Sequence, residues 1–574
     1  MDSDKFCRET FDYIIVGGGL AGLVVATRLS EDSDAIVGVI EAGGETASVP
    51  NVIIPGLVMG NLGTTELDWN FTSSPQCSAG MRSIHIPSYV ISFSVLDAPV
   101  DHTAASVEEY DVRKPRLELV RISTAETYTP LSLDLTLAHH LDIHMNPDFH
   151  GATGRISKTL PRWFAEHHLP FIKALNQLGV PFNPDPGTGY NLGVMATPLS
   201  IDPFQATRSY SATAYCESLI HGGRQNLFIL TNAQVTRVLV SKVREDVVAT
   251  GVEFIRDGRR FSVTCRREVI LSAGIGDPEK LKKVGIETIL PLRGVGSNLR
   301  IGQNLKLASY AASTVHKTFQ DNPCAPIIFS VKPTDESLEK LEQPSTTNAE
   351  RLKRHLESLN TLVNRSPADL SAQLKIQEAL FMSSGSPQLI LSHTTLIPNH
   401  TKDFTALRDE ESYFTLNTAV LHPISRGSVH IHSINPFKQP SIDLGLFKDS
   451  LDLDILIQGI KLARQLVIKY PLASYIIEEI YPGRHVQTDT QLKEYARRFG
   501  GISFNAVGTA AMRPQKQTGV VSPELLVYGT TNLRVVDASV IPIHIGAPIQ
   551  ATIYAIAEKA SDIIRDNGHK RSQG

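Results

Sequence analysis

A chain of 574 residues is too long for one simple core and implies two or more structural domains on one polypeptide. With 42% hydrophobic, 20% charged and 7% aromatic residues it has the composition of a globular protein, neither disordered nor collagenous. A net charge of -4, from 55 basic and 59 acidic side chains, gives no bulk electrostatic reason to hold a polyanion, so nucleic acid is not an expected partner.

The first ten residues are polar and charged, with no apolar stretch ahead of a cleavage site. No run of about 18 apolar residues follows anywhere, so a cytoplasmic chain without a membrane span is expected. Residues 12–16 (DYIIV) read as a short buried strand that ends at once in Gly17-Gly18-Gly19-Leu20-Ala21-Gly22, and residues 23–29 continue at helical spacing. In such a strand-turn-helix, Gly17 makes the turn, Gly19 lets backbone N–H groups approach a pyrophosphate, and Gly22 lets helix and strand pack closely. The phosphate sits at the helix start, where free N–H groups and the helix dipole both favour negative charge. Residues 35–40 (AIVGVI) read as a second buried strand, ending in Glu41, whose carboxylate can accept from ribose hydroxyls. Nicotinamide and flavin dinucleotides both satisfy this unit.

Between Gly80 and Gly151 no glycine occurs, although 40 in 574 residues predict about five in such a span. The interval holds His139, His140, His144 and His150. His140 and His144 have a spacing that can share a helix face, but the glutamate of a His-Glu-x-x-His zinc motif is absent and Pro147 opposes a long helix. No metal is therefore expected. The five cysteines, Cys7, Cys77, Cys216, Cys265 and Cys324, are scattered without a Cys-x-x-Cys pair and read as structural thiols. Residues 335–364, rich in Lys, Glu and Arg, read as a solvated helical insertion.

The C-terminal quarter supplies a more specific pattern. Gly508-Thr509-Ala510-Ala511-Met512, Gly519-Val520-Val521, Leu526-Val527-Tyr528-Gly529 and Asn532-Leu533-Arg534-Val535-Val536-Asp537-Ala538-Ser539 follow in order. Together with the glycine turn they resemble the glucose-methanol-choline (GMC) family of FAD-dependent oxidoreductases. Two further blocks look like that family: residues 422–429 (HPISRGSV), like a strand of its substrate-domain sheet, and residues 226–240, like the strand whose Val235 backbone faces the adenine. The resemblance implies an α/β fold: an FAD-binding, Rossmann-like domain from residues 10–85, 206–307 and 500–570, and a substrate domain with a helix-covered antiparallel sheet from 150–205 and 308–499. Residues 86–149 have no counterpart. It further implies FAD held by Gly17, Gly19, Leu20, Ala21, Gly22, Glu41, Ala42 and Val235, with Asp537 and Ala538 near the ribityl and phosphate groups. A closing helix over residues 551–565 would bring Ile549 and Gln550 near the flavin ring. By its own periodicity, the stripe Ile553, Ile556, Ala557 and Ala560 on that helix reads as core packing.

The chain departs from the family where the chemistry sits. Where the family places a histidine before the Gly-Thr motif, to take the alcohol proton as hydride passes to flavin, this sequence has Asn505, and an amide takes no proton at neutral pH. The second position, histidine or asparagine in the family, falls on Pro548. Four residues earlier, His544 is either a substitute base with a suitable ordinary pKa or an ordinary loop histidine. After residues 84–88 the family's glycine-rich flavin loop is replaced by Tyr89-Val90-Ile91-Ser92-Phe93-Ser94, which lacks glycine's positive-φ freedom. Residues 275–278 follow a strand directly where the family inserts a loop and helix, and Arg300-Ile301-Gly302 replaces a Gln-Asp-His. Abrupt losses with resumption at His150-Gly151 read as altered exon joining or reading frame, which a transcript encoding this chain would refute. Three functions remain open from the sequence: an FAD-dependent alcohol dehydrogenase or oxidase acting on a small organic alcohol in a specialised biosynthetic pathway, a non-redox lyase or cyclase on the same fold, and a catalytically inactive relic or scaffold. Oligomeric state is not legible.

Overall fold

The computed structural model describes residues 1–45, 49–55, 57, 71–86, 143, 146, 148–151, 154–159, 167–190, 192–217, 224–243, 246–272, 323–331, 373, 375–380, 387–394, 413–430, 433, 435, 437–503 and 505–572. The segment replacing the glycine-rich loop, His139, His140 and His144, residues 275–278 and 294–302, and the polar insertion 335–364 lie outside these.

Helix α1 (Ser3–Arg8) precedes strand β1 (Phe11–Val16), which is buried along its length, and the short strands β3 (Phe71–Thr72) and β4 (His85–Ile86) form a separate antiparallel pair. The one charge of β1, Asp12, is satisfied by Arg266 at 2.9 Å and by the Ile36 N–H at 2.9 Å, so an otherwise apolar strand accommodates it. β1 pairs in parallel with β2 (Val37–Ile40) on one side and with the end of β8 (Arg259–Leu271) on the other. Beyond β2 lies β5 (Leu227–Leu230), and beyond β8 lies β16 (Leu533–Val535), both parallel. The parallel order is thus β5-β2-β1-β8-β16, assembled from segments hundreds of residues apart. Helix α2 (Leu20–Leu29) makes the crossover from β1 to β2, as a parallel pair requires. Chain order runs outward from β1 through β2 to β5, then returns to β8 and β16 on the other side, so the carboxyl ends of β1 and β8 flank the topological switch point where such sheets bind ligands. The first half of β8 continues instead into an antiparallel meander with β7 (Asp246–Arg256) and β6 (Gln234–Val243).

Residues 226–240, one strand by the resemblance, are two. Asn232 adopts φ 55, in the left-handed region that asparagine tolerates, and breaks the run between β5 and β6.

A second, antiparallel sheet of the described residues has the order β10-β11-β9-β14, from Leu389–Thr394, Tyr413–Val420, Pro323–Val331 and Ile476–Tyr481, with β15 (Gly501–Ile502) also on β9. The helix Ser450–Val467 covers it. Gly459 lets the helix approach closely, since a Cβ there would lie 1.8 Å from Thr418 Oγ1 on β11. The α/β class and the two-region architecture expected from the resemblance are present.

One block is corrected. Residues 422–429 were expected as a strand of this second sheet, but only their end joins a strand, β12 (Ser428–His430), in a separate two-stranded pair with β13 (Ser441–Asp443). Pro423 has no N–H to give a ladder. The neighbouring N–H groups of Ile424 and Ser425 donate to buried Asp452 at 2.8 and 2.9 Å, and Arg426 Nη1 donates to the carbonyls of Pro423, Ile424 and Ser425. Side chains satisfy this backbone, so it needs no sheet partner.

The long C-terminal helix (Gln550–Ser572) lies against α2. Glu558 accepts from Arg28 Nε at 2.7 Å and from the Tyr215 hydroxyl at 2.7 Å. Ala557 and Ala560 are buried, while Ile553 and Ile556 pack beside Val507, Ile541 and Ile549. No helix among the described residues is long and apolar enough to cross a membrane.

Candidate cofactor and catalytic site

The predicted glycine turn lies at the carboxyl end of β1. Gly17 has φ 100, which a side-chain-bearing residue rarely adopts, and its N–H donates to the Ile40 carbonyl at 2.9 Å, joining the ends of β1 and β2. Gly22 faces inward, where a Cβ would lie 1.9 Å from the Gly17 carbonyl oxygen and 3.2 Å from Ile15 Cγ2. Gly19 is the opposite case: a Cβ built there meets nothing within 4 Å. As the N-cap of α2 it provides no side-chain cap, and Leu20, Ala21 and Gly22 form the first turn behind it. The turn therefore presents helix-start backbone to open space.

Glu41 follows β2 and folds over this turn. Its carboxylate accepts from the Gly18 N–H at 2.6 Å and the Gly43 N–H at 2.7 Å. Burial raises its pKa, and the N–H donors of Gly43, Gly18 and Ala42 oppose that shift. A carboxylate offers about four lone-pair directions, so about one remains for a ligand's hydroxyl. The Glu41 N–H donates to Leu230 O at 2.8 Å and its carbonyl accepts from Ala233 N–H at 2.8 Å, which brings the start of β6, and Val235 two residues on, to the same strand ends. Val235 is buried and faces Phe254 in register.

Asp537 and Ala538 occupy the same edge. The Val536 N–H donates to Leu271 O at 2.8 Å, and Ser272, just past β8, donates its N–H to Val16 O at 2.8 Å and its hydroxyl to Val536 O at 2.9 Å. Asp537 Oδ1 receives the Ser539 N–H at 2.9 Å and the Ser539 hydroxyl, starting a short 3-10 turn. The strand ends thus gather Gly17, Gly19, Leu20, Ala21, Gly22, Glu41, Ala42, Asp537 and Ala538 along one edge of the sheet. These groups match the needs of a dinucleotide: helix-start N–H groups under open space, a half-buried carboxylate with spare acceptor capacity, and main chain that approaches without side chains.

The candidate catalytic residues lie on two segments that touch. His544 is buried, with Nε2 2.8 Å from the Asn505 carbonyl oxygen and Nδ1 2.8 Å from the Ile545 carbonyl oxygen. Burial pushes its pKa down to about 4 against the pull of those two carbonyls. Neither ring nitrogen is left directed at a substrate in this arrangement. The buried His422 ring, also lowered in pKa by burial, has Nδ1 3.2 Å from the His544 carbonyl oxygen. Asn505 is half-buried and Pro548 exposed. Ile549 is buried beside Val507 and Ile541, and Gln550 Oε1 accepts from the Ser200 hydroxyl at 3.2 Å. Sequence reasoning missed His422 and Ser200 because their partners lie more than a hundred positions away and leave no spacing signal. Of the histidine cluster, only His150 is described, bonded through Nε2 to Asp185 at 2.8 Å.

Two family models described as GMC oxidoreductase match residues 156–309 and 423–557. The GMC oxidoreductase family protein Mala s 12 of Malassezia sympodialis is 30% identical over 97% of this chain and 93% of its own length. Dehydrogenase citC of Monascus ruber is 30% identical over 98% and 97%, respectively. Among solved structures, an FAD-dependent oxidoreductase from Chaetomium thermophilum has a TM-score of 0.79 at 23% identity, covering 98% of this chain and 100% of that one. A fungal aryl-alcohol oxidase has a TM-score of 0.76 at 24% identity with the same coverage. At such identities these two speak for the fold alone.

Proposed function

The chain belongs to the GMC oxidoreductase family, and from that premise we propose that it is an FAD-dependent alcohol dehydrogenase or oxidase acting on a small organic alcohol in a specialised biosynthetic pathway. The observation that carries this reading is the pairing of Gly19, open above an uncapped helix start, with Glu41, half-buried beside it and bonded to Gly18. The main chain of Gly17, Gly19, Leu20, Ala21 and Gly22 would hold the pyrophosphate, Glu41 with Ala42 the adenosine ribose, and Val235 the adenine edge. Asp537 and Ala538 would lie near the ribityl and phosphate groups, with Ile549 and Gln550 near the ring. When bound, FAD supplies a hydride acceptor. Several relatives carry dehydrogenase names, including pyranose dehydrogenase 3 of Leucoagaricus meleagris at 29% identity, and their full-length coverage supports the redox class.

On the substrate side, Asn505 can hydrogen-bond an alcohol hydroxyl and orient it without taking its proton. Pro548 adds no side-chain donor or acceptor, and His544 is engaged with backbone. These three observations favour a second reading, in which the chain binds the cofactor but turns over slowly or not at all. A non-redox lyase or cyclase would need no hydride step and so tolerates the same substitutions. The absorbance spectrum of the purified protein, with and without added FAD, tests the first requirement: a colourless protein that retains no FAD after gel filtration would refute the cofactor reading. Bleaching by a panel of alcohols under anaerobic conditions then identifies a redox enzyme. Product without bleaching identifies a lyase, and neither response identifies the inactive form.

A further inference from the structure

We propose that His544 is a positioning residue, whose imidazole holds the turn carrying Asn505 against the segment that carries Pro548, Ile549 and Gln550. The inference rests on the reading above only in treating those two segments as the walls of the substrate site.

The geometry separates a local contact from a long-range one. Nδ1 faces the carbonyl of the next residue, Ile545, a contact internal to the segment, whereas Nε2 faces the Asn505 carbonyl across 39 positions at the same 2.8 Å. Carbonyl oxygens only accept, and a neutral imidazole carries a single N–H. Burial keeps this ring neutral, so one of the two contacts is a hydrogen bond and the other places a lone pair against an oxygen. With the proton on Nε2, the hydrogen bond is the one that joins two separate segments, and the Ile545 contact is the one that follows from chain connectivity. A second brace comes from the end of another strand: His422, just past β11, faces the His544 carbonyl through Nδ1 at 3.2 Å. The charged group that acts on His544 alongside His422 is buried Arg426, whose guanidinium bonds to the carbonyls of residues 423–425 and to Gln377.

Downstream, the turn has its own anchors. The Ala510 N–H donates to Ser539 O and the Met512 N–H to Val540 O, each at 2.9 Å. Residues 510–512 therefore stay fixed without the imidazole, and the His544 bond acts on the stretch before them. Such a role differs from that of a general base, which needs a lone pair aimed at the substrate.

Hydrogen exchange followed by mass spectrometry on the full-length protein, with and without FAD, tests this. His544→Phe keeps an aromatic ring, slightly larger, and removes both nitrogens, and it should speed exchange over residues 503–507 by about fivefold, the effect of one net hydrogen bond. Exchange over 510–512 should stay unchanged, and His544→Gln, which retains an N–H donor, should restore most of the protection. If the Phe variant does not fold, His544→Met removes the same nitrogens with a more adaptable side chain. Unchanged exchange over 503–507 overturns the proposal, as does equal acceleration over 503–507 and 510–512. The readout needs neither bound flavin nor turnover, so failure of the FAD reading and failure of this one give different results. In an active holoenzyme, the same variants should lower kcat more than they raise KM, because the walls of the site lose their spacing.

Discussion

Two glycines three positions apart in the same turn should respond in opposite ways to an added methyl group. In Gly22→Ala the new Cβ would lie 1.9 Å from the Gly17 carbonyl oxygen, 3.1 Å from the Gly17 carbonyl carbon and 3.2 Å from Ile15 Cγ2. The first two are backbone atoms of a residue held at φ 100, so they cannot yield without reopening the β1–β2 junction made by the Gly17 N–H. Overpacking of this kind costs about 1–3 kcal/mol or more, against a gain of about 1 kcal/mol from replacing a helical glycine by alanine. In Gly19→Ala the methyl meets no protein atom within 4 Å and φ is -76, so the fold loses only the N-cap preference of glycine over alanine, about 1 kcal/mol or less. The cost falls on the ligand instead. Displacing a phosphate from one charge-assisted backbone bond is worth about 1.5–3 kcal/mol, or roughly 10- to 150-fold in Kd. Thermal melts of the apo proteins together with FAD fluorescence titrations measure both effects. The expectation is a lowered melting temperature for Gly22→Ala, and a near-normal melt with much weaker FAD binding for Gly19→Ala. If Gly19→Ala binds FAD as tightly as the parent protein, the open space above Gly19 is not where the cofactor sits and the reasoning fails.

Three other perturbations follow from buried or half-buried groups. Glu41→Gln puts an amide NH2 where Gly18 or Gly43 donates, so FAD affinity should drop by roughly tenfold or more, read by the same titration; an unchanged Kd would remove Glu41 from the ribose site. Arg534 and Glu268, both fully buried, pair at 2.5 Å between β16 and β8. Arg534→Met strands the carboxylate and should destabilise by about 3–5 kcal/mol in urea unfolding, whereas the Glu268→Gln/Arg534→Met double variant should recover much of it. Acid should weaken the fold through His168 and His544, which burial pushes down to about 4. Because the unfolded chain binds these protons near pH 6.5, stability is lost as pH falls from about 6.5 toward 4, by up to ~3 kcal/mol per ring. Asp452, raised by burial to about 6, acts in the opposite direction and offsets part of one ring. A melting temperature that stays level from pH 7 to 4.5 would contradict this balance.

What was legible in the sequence was what depends on short-range spacing. The glycine turn and Glu41 could be placed because strand, turn, helix and second strand follow within about thirty residues, and each glycine answers to a different local constraint: φ at Gly17, close packing at Gly22, open space at Gly19. The break at Asn232 was missed because a left-handed asparagine leaves no mark in an otherwise apolar run. Residues 422–429 were expected as a strand on resemblance alone, and the resemblance carried no sign that Asp452, from elsewhere in the sequence, and Arg426, from the same turn, take up the backbone polar groups. The tie from Arg28 to Glu558 spans 530 positions and carries no periodic signal.

The same distinction bears on how the family pattern can be present at one half of the site and altered at the other. The groups proposed for the dinucleotide are mostly main chain, positioned by the β5-β2-β1-β8-β16 ladder and by Gly17, Gly22 and Glu41, so substitutions outside the glycine turn and Glu41 that leave strand ends in register leave them in place. Proton transfer from a substrate, by contrast, depends on one or two side chains, and exchanging a histidine for Asn505 or Pro548 changes no hydrogen bond of that ladder. Ile549 stays packed with Val507 and Ile541, and His544 still spans the two segments. On the proposed reading, cofactor retention and turnover are therefore physically separable in this chain. It retains FAD through its main-chain groups, more weakly for want of the glycine-rich loop that residues 89–94 replace, and reacts slowly because Asn505 takes no proton.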